Sequence, residues 1–210
     1  MENVTSIKCE NITEEIIQEY KEKGFKLIFQ EYVMEHELKE IPQINTSVPL
    51  RFQSWSSTSK ADFYEVYDAS FKDRPGFPGW SMDKWVGWIA SSPTFLKAQS
   101  YLAAVDNQAA GFIALDTDPE FPNTKAYIIQ VGVIPEWRGK GIAASLTCKC
   151  LEECRQDGIN SVTLHVNQNN PGAIRLYERL GFETVRTRGR FETGHGESPS
   201  GAQLNNSNDK

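Results

Sequence analysis

Hydrophobic residues alternate with polar ones in some segments and recur at helical spacing in others. Alternating Val162, Leu164 and Val166 predict a strand over residues 161–166, and the β-branched, apolar run 128–134 predicts a buried strand that Pro135 ends. From residue 51 to residue 191 the pattern predicts a strand, two helices, three strands, a helix, a strand, a helix and a final strand. This order indicates a mixed α/β layered sheet.

The first fifty residues repeat part of this pattern. Residues 7–10 are strand-like, residues 12–23 are helix-like, and Tyr20-x-x-x-Gly24-Phe25 has the spacing of Tyr177-x-x-x-Gly181-Phe182. We infer an internal repeat of the last strand-helix-strand unit over about residues 5–38, with coincidence in a short motif as the alternative.

The repeat divides the chain into three parts. Residues 1–49 would be a partial repeat with its linker, residues 50–192 a complete domain, and residues 193–210 a tail rich in Gly, Ser and Asn for which we expect disorder. The partial repeat has no Arg/Gly turn for binding a nucleotide. We therefore expect it to cover a sheet edge, with exchange between two chains as the rival use.

A glycine-rich turn follows the strand that ends at Pro135. Backbone N–H groups at the start of a helix have no partner within the helix, and the helix dipole favours negative charge there. The turn is therefore suited to binding a diphosphate through its main chain, with added charge from its two basic side chains. The residues predicted to do so are Arg138, Gly139, Lys140, Gly141, Ile142 and Ala143. An ordinary strand-to-helix loop is the alternative.

Two sequence motifs, one after the other in the chain, make the interpretation of the glycine-rich turn more specific. Arg138-x-x-Gly141-x-Ala143 after a strand is followed by Asn170-x-x-Ala173-x-x-x-Tyr177-x-x-x-Gly181-Phe182, in which Asn170-Pro171 opens a helix. Over roughly residues 51–192 the chain resembles the GCN5-related N-acetyltransferase (GNAT) superfamily. Residues 68–85, followed by Pro93-Thr-Phe95, are similar to the acceptor-side helices in the C-terminal half of mycothiol synthase-type acetyltransferases, which contain two repeats.

The resemblance implies the acyl-CoA N-acyltransferase fold, with the N-terminal unit as the tail of a missing first half. It implies acetyl-CoA as co-substrate, a small-molecule amine as acceptor and direct transfer in a ternary complex. Main-chain groups of Val131, Gly132 and Val133 would bind the pantetheine arm like an added strand. Tyr177 is the implied catalytic acid, because a phenol can protonate the departing thiolate. Asn170 would bind the pantetheine amide or a water, or act only as a helix cap.

The sequence gives less information about the residues that would contact the acceptor amine. Phe77 and Trp80 fall in a loop and are the candidates for substrate contact, whereas Trp85 and Trp88 have the spacing of core residues. Many relatives carry a glutamate base on or before the strand 126–134, but this strand has Tyr127 and Gln130 and no carboxylate. The other candidates, each with a structural alternative, are Asp116, Asp118, Glu120 and His165. The missing carboxylate leaves a second hypothesis, a CoA-binding regulatory or interaction module whose chemistry has decayed.

The composition limits the kinds of binding partner that we expect. The chain has 210 residues and a formal net charge of -6, and we expect no nucleic-acid partner because phosphate binding needs clustered Lys and Arg. No apolar run approaches the ~20 residues that span a bilayer, and the start lacks the charged and apolar regions of a signal peptide. We expect a soluble cytoplasmic protein without a membrane partner, as a monomer or homodimer.

The cysteines are Cys9, Cys148, Cys150 and Cys154. The last three fall on the core-facing side of the helix after the glycine-rich turn, with no neighbouring histidine. We expect buried thiols and no metal site, because free cysteine behaves as a small hydrophobic residue.

Overall fold

The computed structural model describes residues 6–56, 58–122 and 124–193. The strands are β1 (Ser6–Cys9), β2 (Lys26–His36), β3 (Arg51–Ser54), β4 (Tyr101–Val105), β5 (Gln108–Thr117), β6 (Lys125–Val133), β7 (Ser161–Asn167) and β8 (Glu183–Glu192). The helices are α1 (Glu14–Glu22), α2 (Lys60–Phe71), α3 (Met82–Ala90), α4 (Ile142–Gln156) and α5 (Pro171–Arg179). The predicted element order is therefore confirmed. Except for Thr193, the tail predicted to be disordered lies outside the described residues.

Within the described ranges the strands form one eight-stranded sheet in the order β1-β8-β2-β7-β6-β5-β4-β3. β6 and β7 are parallel, and the other neighbouring pairs are antiparallel. Residues of α4 and α5 pack on one face against Leu115, Ile128 and Leu164. Residues of α2 and α3 pack on the other face against Phe112 and Ala114. Because strand side chains alternate between faces, this two-sided core gives the predicted mixed α/β architecture.

The N-terminal unit lies inside the sheet as well as at its edge. β1 pairs with β8 at one edge, as an edge cover would, but β2 lies between β8 and β7. The expectation of edge covering is therefore wrong for β2. An interior strand hydrogen bonds on both sides, so β2 satisfies backbone groups of two strands that would otherwise each present an open edge.

The two strand-helix-strand units correspond in length and register. α1 and α5 each have nine residues. The offset that aligns the two Tyr-x-x-x-Gly-Phe motifs also aligns Glu31 with Arg188 and Ile28 with Val185. Ile28 and Val185 are the extra residues at register shifts of β2 and β8, and both are exposed, at 46% and 54%. These correspondences support the internal repeat, although its origin in a missing first half stays a prediction.

The cysteines of α4 are buried, as predicted. Cys148, Cys150 and Cys154 are free thiols in the core, and burial raises the pKa of Cys148 to about 11 and that of Cys154 to about 12. In the described part of the chain, no group of side chains could hold a metal ion. A search of the same residues finds no helix with the length and apolar character to cross a membrane.

Candidate active site

β6 and β7 diverge partway along their length. Their parallel register ends at Ile128 and Leu164, although β6 continues to Val133. A register shift between β5 and β6 leaves Ile129 as an extra residue immediately after this last pair. Such a bulge bends a strand, so the main chain of residues 131–133 faces a gap on the β7 side. An extended ligand can pair with this segment as an added strand.

Gly132 lies where β6 approaches α2. A Cβ atom at this position would lie 2.6 Å from Cε1 of Phe112 and 3.1 Å from Cε2 of Phe71. The glycine therefore allows the diverging strand to pack closely against aromatic side chains on the α2 face. This packing role is separate from the main-chain binding predicted for Val131, Gly132 and Val133, which stays a prediction.

The glycine-rich turn leads directly into α4. Gly141 is the N-cap residue in the left-handed region (φ +84°), and within the described residues no side chain caps this end. The first turn also contains no acidic residue. The first amide N–H groups of α4 are therefore available to an anion. Among the predicted binding residues, Ile142 is buried and Gly139 also has a positive φ.

A pocket of about 500 Å³ lies at this helix start. Its walls are formed by Asn45, Ser47, Val133, Trp137, residues 138–144, Gly172, Leu176 and Arg179. Sequence reasoning missed the contribution of the linker, because no motif marks Asn45 or Ser47. The linker passes so close that a Cβ on Gly141 would lie 3.4 Å from Cγ2 of Thr46.

The two basic side chains of the turn have different environments. The Arg138 guanidinium donates to the carbonyl oxygens of Val133 (3.1 Å) and Ser70 (2.9 Å), so it connects the end of β6 to α2. Lys140 is half-buried, and its Nζ lies 4.6 Å from the ring centroid of Trp137. Arg138 therefore fixes the turn, and Lys140 is the side chain better placed to add charge at the pocket.

α5 carries the second motif. Oδ1 of Asn170 accepts the N–H of Ala173 at 3.2 Å, which confirms the helix cap. Tyr177 is 9% exposed and its ring packs edge-on to Phe182, with 5.6 Å between centroids. Burial, with a smaller contribution from Cys150, raises the pKa of Tyr177 to about 12. The phenol therefore keeps its proton at neutral pH, as a catalytic acid must.

The predicted substrate-contact residues lie on the α2/α3 side. The rings of Phe77 and Tyr67 are 5.5 Å apart, and those of Trp80 and Trp88 are also 5.5 Å apart. Trp85 is fully buried, which confirms its core prediction. The same prediction is wrong for Trp88, which is 36% exposed because it packs on the loop residue Trp80 at the outside of α3.

The acidic candidates for a general base occupy turn positions. Asp118 accepts the N–H groups of Glu120 and Phe121 and the hydroxyl of Thr163. Glu120 is exposed and lies 3.7 Å from Arg186. Asp116 accepts the N–H of the next residue. These contacts explain each carboxylate as part of the β5–β6 connection.

A polar cluster lies instead where β6 and β7 separate. Tyr127 Oη is 3.1 Å from Nδ1 of His165, and Oε1 of Glu31 is 3.6 Å from the same nitrogen. Nε of Arg188 donates to Oε1 of Glu31. Burial, followed by Arg188 and Arg186, lowers the pKa of His165 to about 3. Sequence reasoning missed Glu31, although the repeat already aligned it with Arg188.

Residues 50–182 match the sequence profile of the Acetyltransferase (GNAT) family. This match covers more than half of the chain, so the chain belongs to the GNAT acetyltransferase family. The matched segment contains both the diverging strand β6 and the start of α4 that follows it.

Relatives agree with this membership. The chain is 29% identical over 160 residues to a mycothiol acetyltransferase of Mycolicibacterium gilvum, covering 73% of this chain and 52% of the relative. It is 33% identical over 130 residues to an uncharacterized N-acetyltransferase of Methanocaldococcus jannaschii, covering 58% and 55%. The chain thus spans about half the length of these curated relatives. A GCN5-related N-acetyltransferase from Sphaerobacter thermophilus shares the fold, with a TM-score of 0.73 at 19% identity over 90% of this chain and 59% of that one.

Proposed function

We propose that the chain transfers an acetyl group from acetyl-CoA to a primary amine of a small molecule, by direct attack in a ternary complex. The uncapped start of α4, beside a pocket of about 500 Å³, carries this proposal. Its N–H groups and Lys140 match the charge of a diphosphate. The adjoining gap between β6 and β7 has the extended shape that a pantetheine arm requires.

Each residue of the proposed site has a role that follows from its position. The acyl donor supplies a thioester, and the main-chain N–H groups of residues 131–133 are the candidates for stabilising negative charge on its carbonyl oxygen. Tyr177 donates a proton to the departing thiolate, for which its raised pKa keeps it protonated. Asn170 fixes the start of α5 and with it the position of Tyr177. Phe77 and Trp80 form the side from which the acceptor enters.

Calorimetric titration with CoA and acetyl-CoA tests the donor. We expect saturable binding that weakens when Gly141→Asp places a carboxylate at the start of α4 and in the left-handed region. Gly158→Asp is the matched control, because Gly158 also has a positive φ but follows the other end of α4. Absence of heat with either ligand on the folded wild-type chain would refute the proposal.

The acceptor is tested by a panel of amines with release of free CoA as readout. The panel contains an amino-sugar thiol precursor, an aminoglycoside, a polyamine and a peptide with a free amino terminus. The mycothiol acetyltransferases among the relatives make the amino-sugar thiol the first compound to test. Turnover with one small amine supports the proposal, and turnover with the peptide alone would contradict the small-molecule acceptor.

A decayed CoA-binding module is the second candidate function. It is favoured by one observation, since β6 (Lys125–Val133) contains no carboxylate and its Gln130 accepts from Nε1 of Trp85 at 3.2 Å. Tight CoA binding without turnover for any amine in the panel would favour this candidate over the enzyme.

A further inference from the structure

The hydrogen-bonded pair Tyr127 and His165 lies at the fork of β6 and β7. Ala126 and Ile128 point into the α4/α5 core, so Tyr127 between them points to the opposite face of the sheet, where α2 and α3 pack. His165 lies on that same face, one residue beyond the last β6–β7 pair. The pair therefore lies on the α2/α3 face of the sheet, beside the point at which β6 and β7 separate.

Glu31 brings the N-terminal unit into contact with this pair. It is 6% exposed, lies on interior strand β2, and has Oε1 3.6 Å from Nδ1 of His165. Arg188 on β8 bonds to the same carboxylate oxygen, which fixes its position. A buried carboxylate needs such partners, because burial without them disfavours its charge. Glu31 thus places a carboxylate beside a site whose own strand β6 has none.

We propose that Tyr127 and His165 together accept the proton of the acceptor amine, and that Glu31 of the N-terminal unit acts through His165, by stabilising the positive charge that the imidazole gains in this step. The inference rests on the proposed acetyltransferase function. It gives the N-terminal unit a part in the reaction in addition to its part in the sheet.

The amine nitrogen forms a C–N bond with the acetyl carbon while the C–S bond of the thioester breaks. The surplus N–H proton passes to Oη of Tyr127 as the phenolic proton passes to Nδ1 of His165, in the tautomer that carries hydrogen on Nε2. The departing thiolate takes its proton from Tyr177. Exchange with water then returns the Tyr127 and His165 pair, and Tyr177, to their starting protonation states.

The charges around His165 fit this role. It is faced by Tyr127 from β6, Glu31 from β2, and Arg186 and Arg188 from β8, while Glu10 and Glu120 lie 3.7–3.8 Å from these arginines. With its pKa lowered to about 3, the imidazole is neutral and Nδ1 is open as an acceptor. Burial raises the pKa of Glu31 against the effect of Arg188. The opposite shifts place the pKa of Glu31 above that of His165, which favours transfer of the proton from Nδ1 to the carboxylate.

A weakly basic imidazole does not take a proton from a free ammonium ion. The pair therefore acts after the C–N bond has begun to form, when the nitrogen is much more acidic. As a consequence, the amine must bind in its neutral form. We expect kcat/KM for the amine to rise with pH until the pKa of the free amine is reached.

The first test compares Tyr127→Phe, His165→Gln and Glu31→Gln with the wild type, using the amine of the panel that is turned over fastest. Tyr127→Phe and His165→Gln should lower kcat about 100-fold, the lower range for loss of acid–base catalysis. Glu31→Gln should lower kcat about tenfold and shift the pH profile, since it acts through His165. The KM for acetyl-CoA should stay within about twofold in each variant, because the residues lie outside the pocket at α4.

Glu35→Gln is the matched control. Glu35 lies on the same strand and bonds to Lys125 at 2.8 Å, away from His165. It should keep kcat within about twofold and leave the pH profile unchanged. Equal effects of Glu31→Gln and Glu35→Gln would reduce Glu31 to a structural role and overturn its part of the proposal.

A second readout is independent of turnover. Long-range ¹H–¹⁵N spectra of the histidine rings, recorded without acetyl-CoA, should show the Nδ1 signal of His165 moving in Tyr127→Phe and Glu31→Gln but not in Glu35→Gln. Tyr127→Phe removes one hydroxyl, so it serves if Glu31→Gln fails to fold. If the wild type is active and Tyr127→Phe keeps full turnover, this inference is overturned and the acetyltransferase proposal stands. If the wild type binds CoA but acetylates no amine, both are overturned.

Discussion

Glu31 and Arg188 are direct cross-strand partners on β2 and β8, at positions that correspond in the two strand-helix-strand units. Their ion pair connects the N-terminal unit to the last strand. Because Glu31 is buried, the carboxylate depends on this partner for its charge. The pair therefore links the stability of the sheet to the presence of the N-terminal unit.

Arg188→Gln should destabilise the protein by about 3–5 kcal/mol, the usual cost of leaving one member of a buried ion pair alone. The pKa of Glu31 is already raised, and loss of Arg188 raises it further. A raised carboxyl pKa favours the folded state at low pH and costs stability as pH rises through it. Urea unfolding should therefore show a smaller loss at about pH 4.5 than at about pH 8.

The control for this measurement is Arg190→Gln. Arg190 pairs with Glu192 on its own strand at 3.2 Å, and both side chains are about one-third exposed. Exposed pairs contribute about 0–1 kcal/mol. Equal losses of unfolding free energy in the two variants would show that the Glu31–Arg188 ion pair stabilises the protein no more than the Arg190–Glu192 pair does.

A chain that begins at residue 50 should not fold by itself. It lacks β2, so β7 and β8 would each present an unpaired edge in the middle of the sheet. Residues 1–49 supplied as a separate peptide should restore helical and sheet signals in circular dichroism. A folded, monomeric fragment from residue 50 onward would contradict this prediction and show that β8 can pair directly with β7.

Tyr177→Phe should lower kcat by about 100-fold while the Kd for acetyl-CoA changes by less than about twofold. Burial raises the pKa of Tyr177 to about 12, so its phenol stays protonated across the usual assay range. The wild type should therefore show no loss of kcat from this group up to about pH 10. An alkaline fall near neutral pH that disappears in Tyr177→Phe would contradict the buried acid.

Gly132→Ala should cost about 1–3 kcal/mol of folding stability. The added methyl group would lie 2.6 Å from Cε1 of Phe112, a contact that forces a shift of the ring or the strand. Phe112→Leu in the same chain should recover part of the loss by removing the ring atom. Gly87→Ala on α3 is the control, because a Cβ there meets nothing within 4 Å. Since alanine is favoured over glycine inside a helix, this variant should gain about 0.5–1 kcal/mol instead of losing stability.

Local chemistry in the sequence explains why much of the fold, including the glycine-rich turn before α4, could be predicted. Asn170-Pro171 and Gly181 mark the ends of α5, and both glycines of the turn before α4 have a positive φ. Cap and turn residues act on neighbouring backbone, so their effect can be read from spacing alone. Trp88 shows the limit, because it is exposed between the buried residues Trp85 and Ile89, and spacing alone did not decide how wide a face of this helix is buried.

The polar cluster at the fork of β6 and β7 depends on strand order, which the spacing of residues in the sequence does not encode. Glu31 and His165 are far apart in the chain and meet only because β2 enters the sheet between β7 and β8. The linker residues Asn45 and Ser47 reach the pocket for the same reason, since the chain must return from β2 to β3 across the start of α4. An edge-covering unit, as the sequence led us to expect, would have brought neither group to the site.

By itself the sequence determined the elements, the family and the glycine-rich turn before α4, because each depends on residues close together in the chain. The tertiary structure decided where the N-terminal unit lies and which side chains surround the fork of β6 and β7. Those contacts arise from pairing between distant strands, and pairing is selected by the open backbone edges and buried charges of the whole sheet.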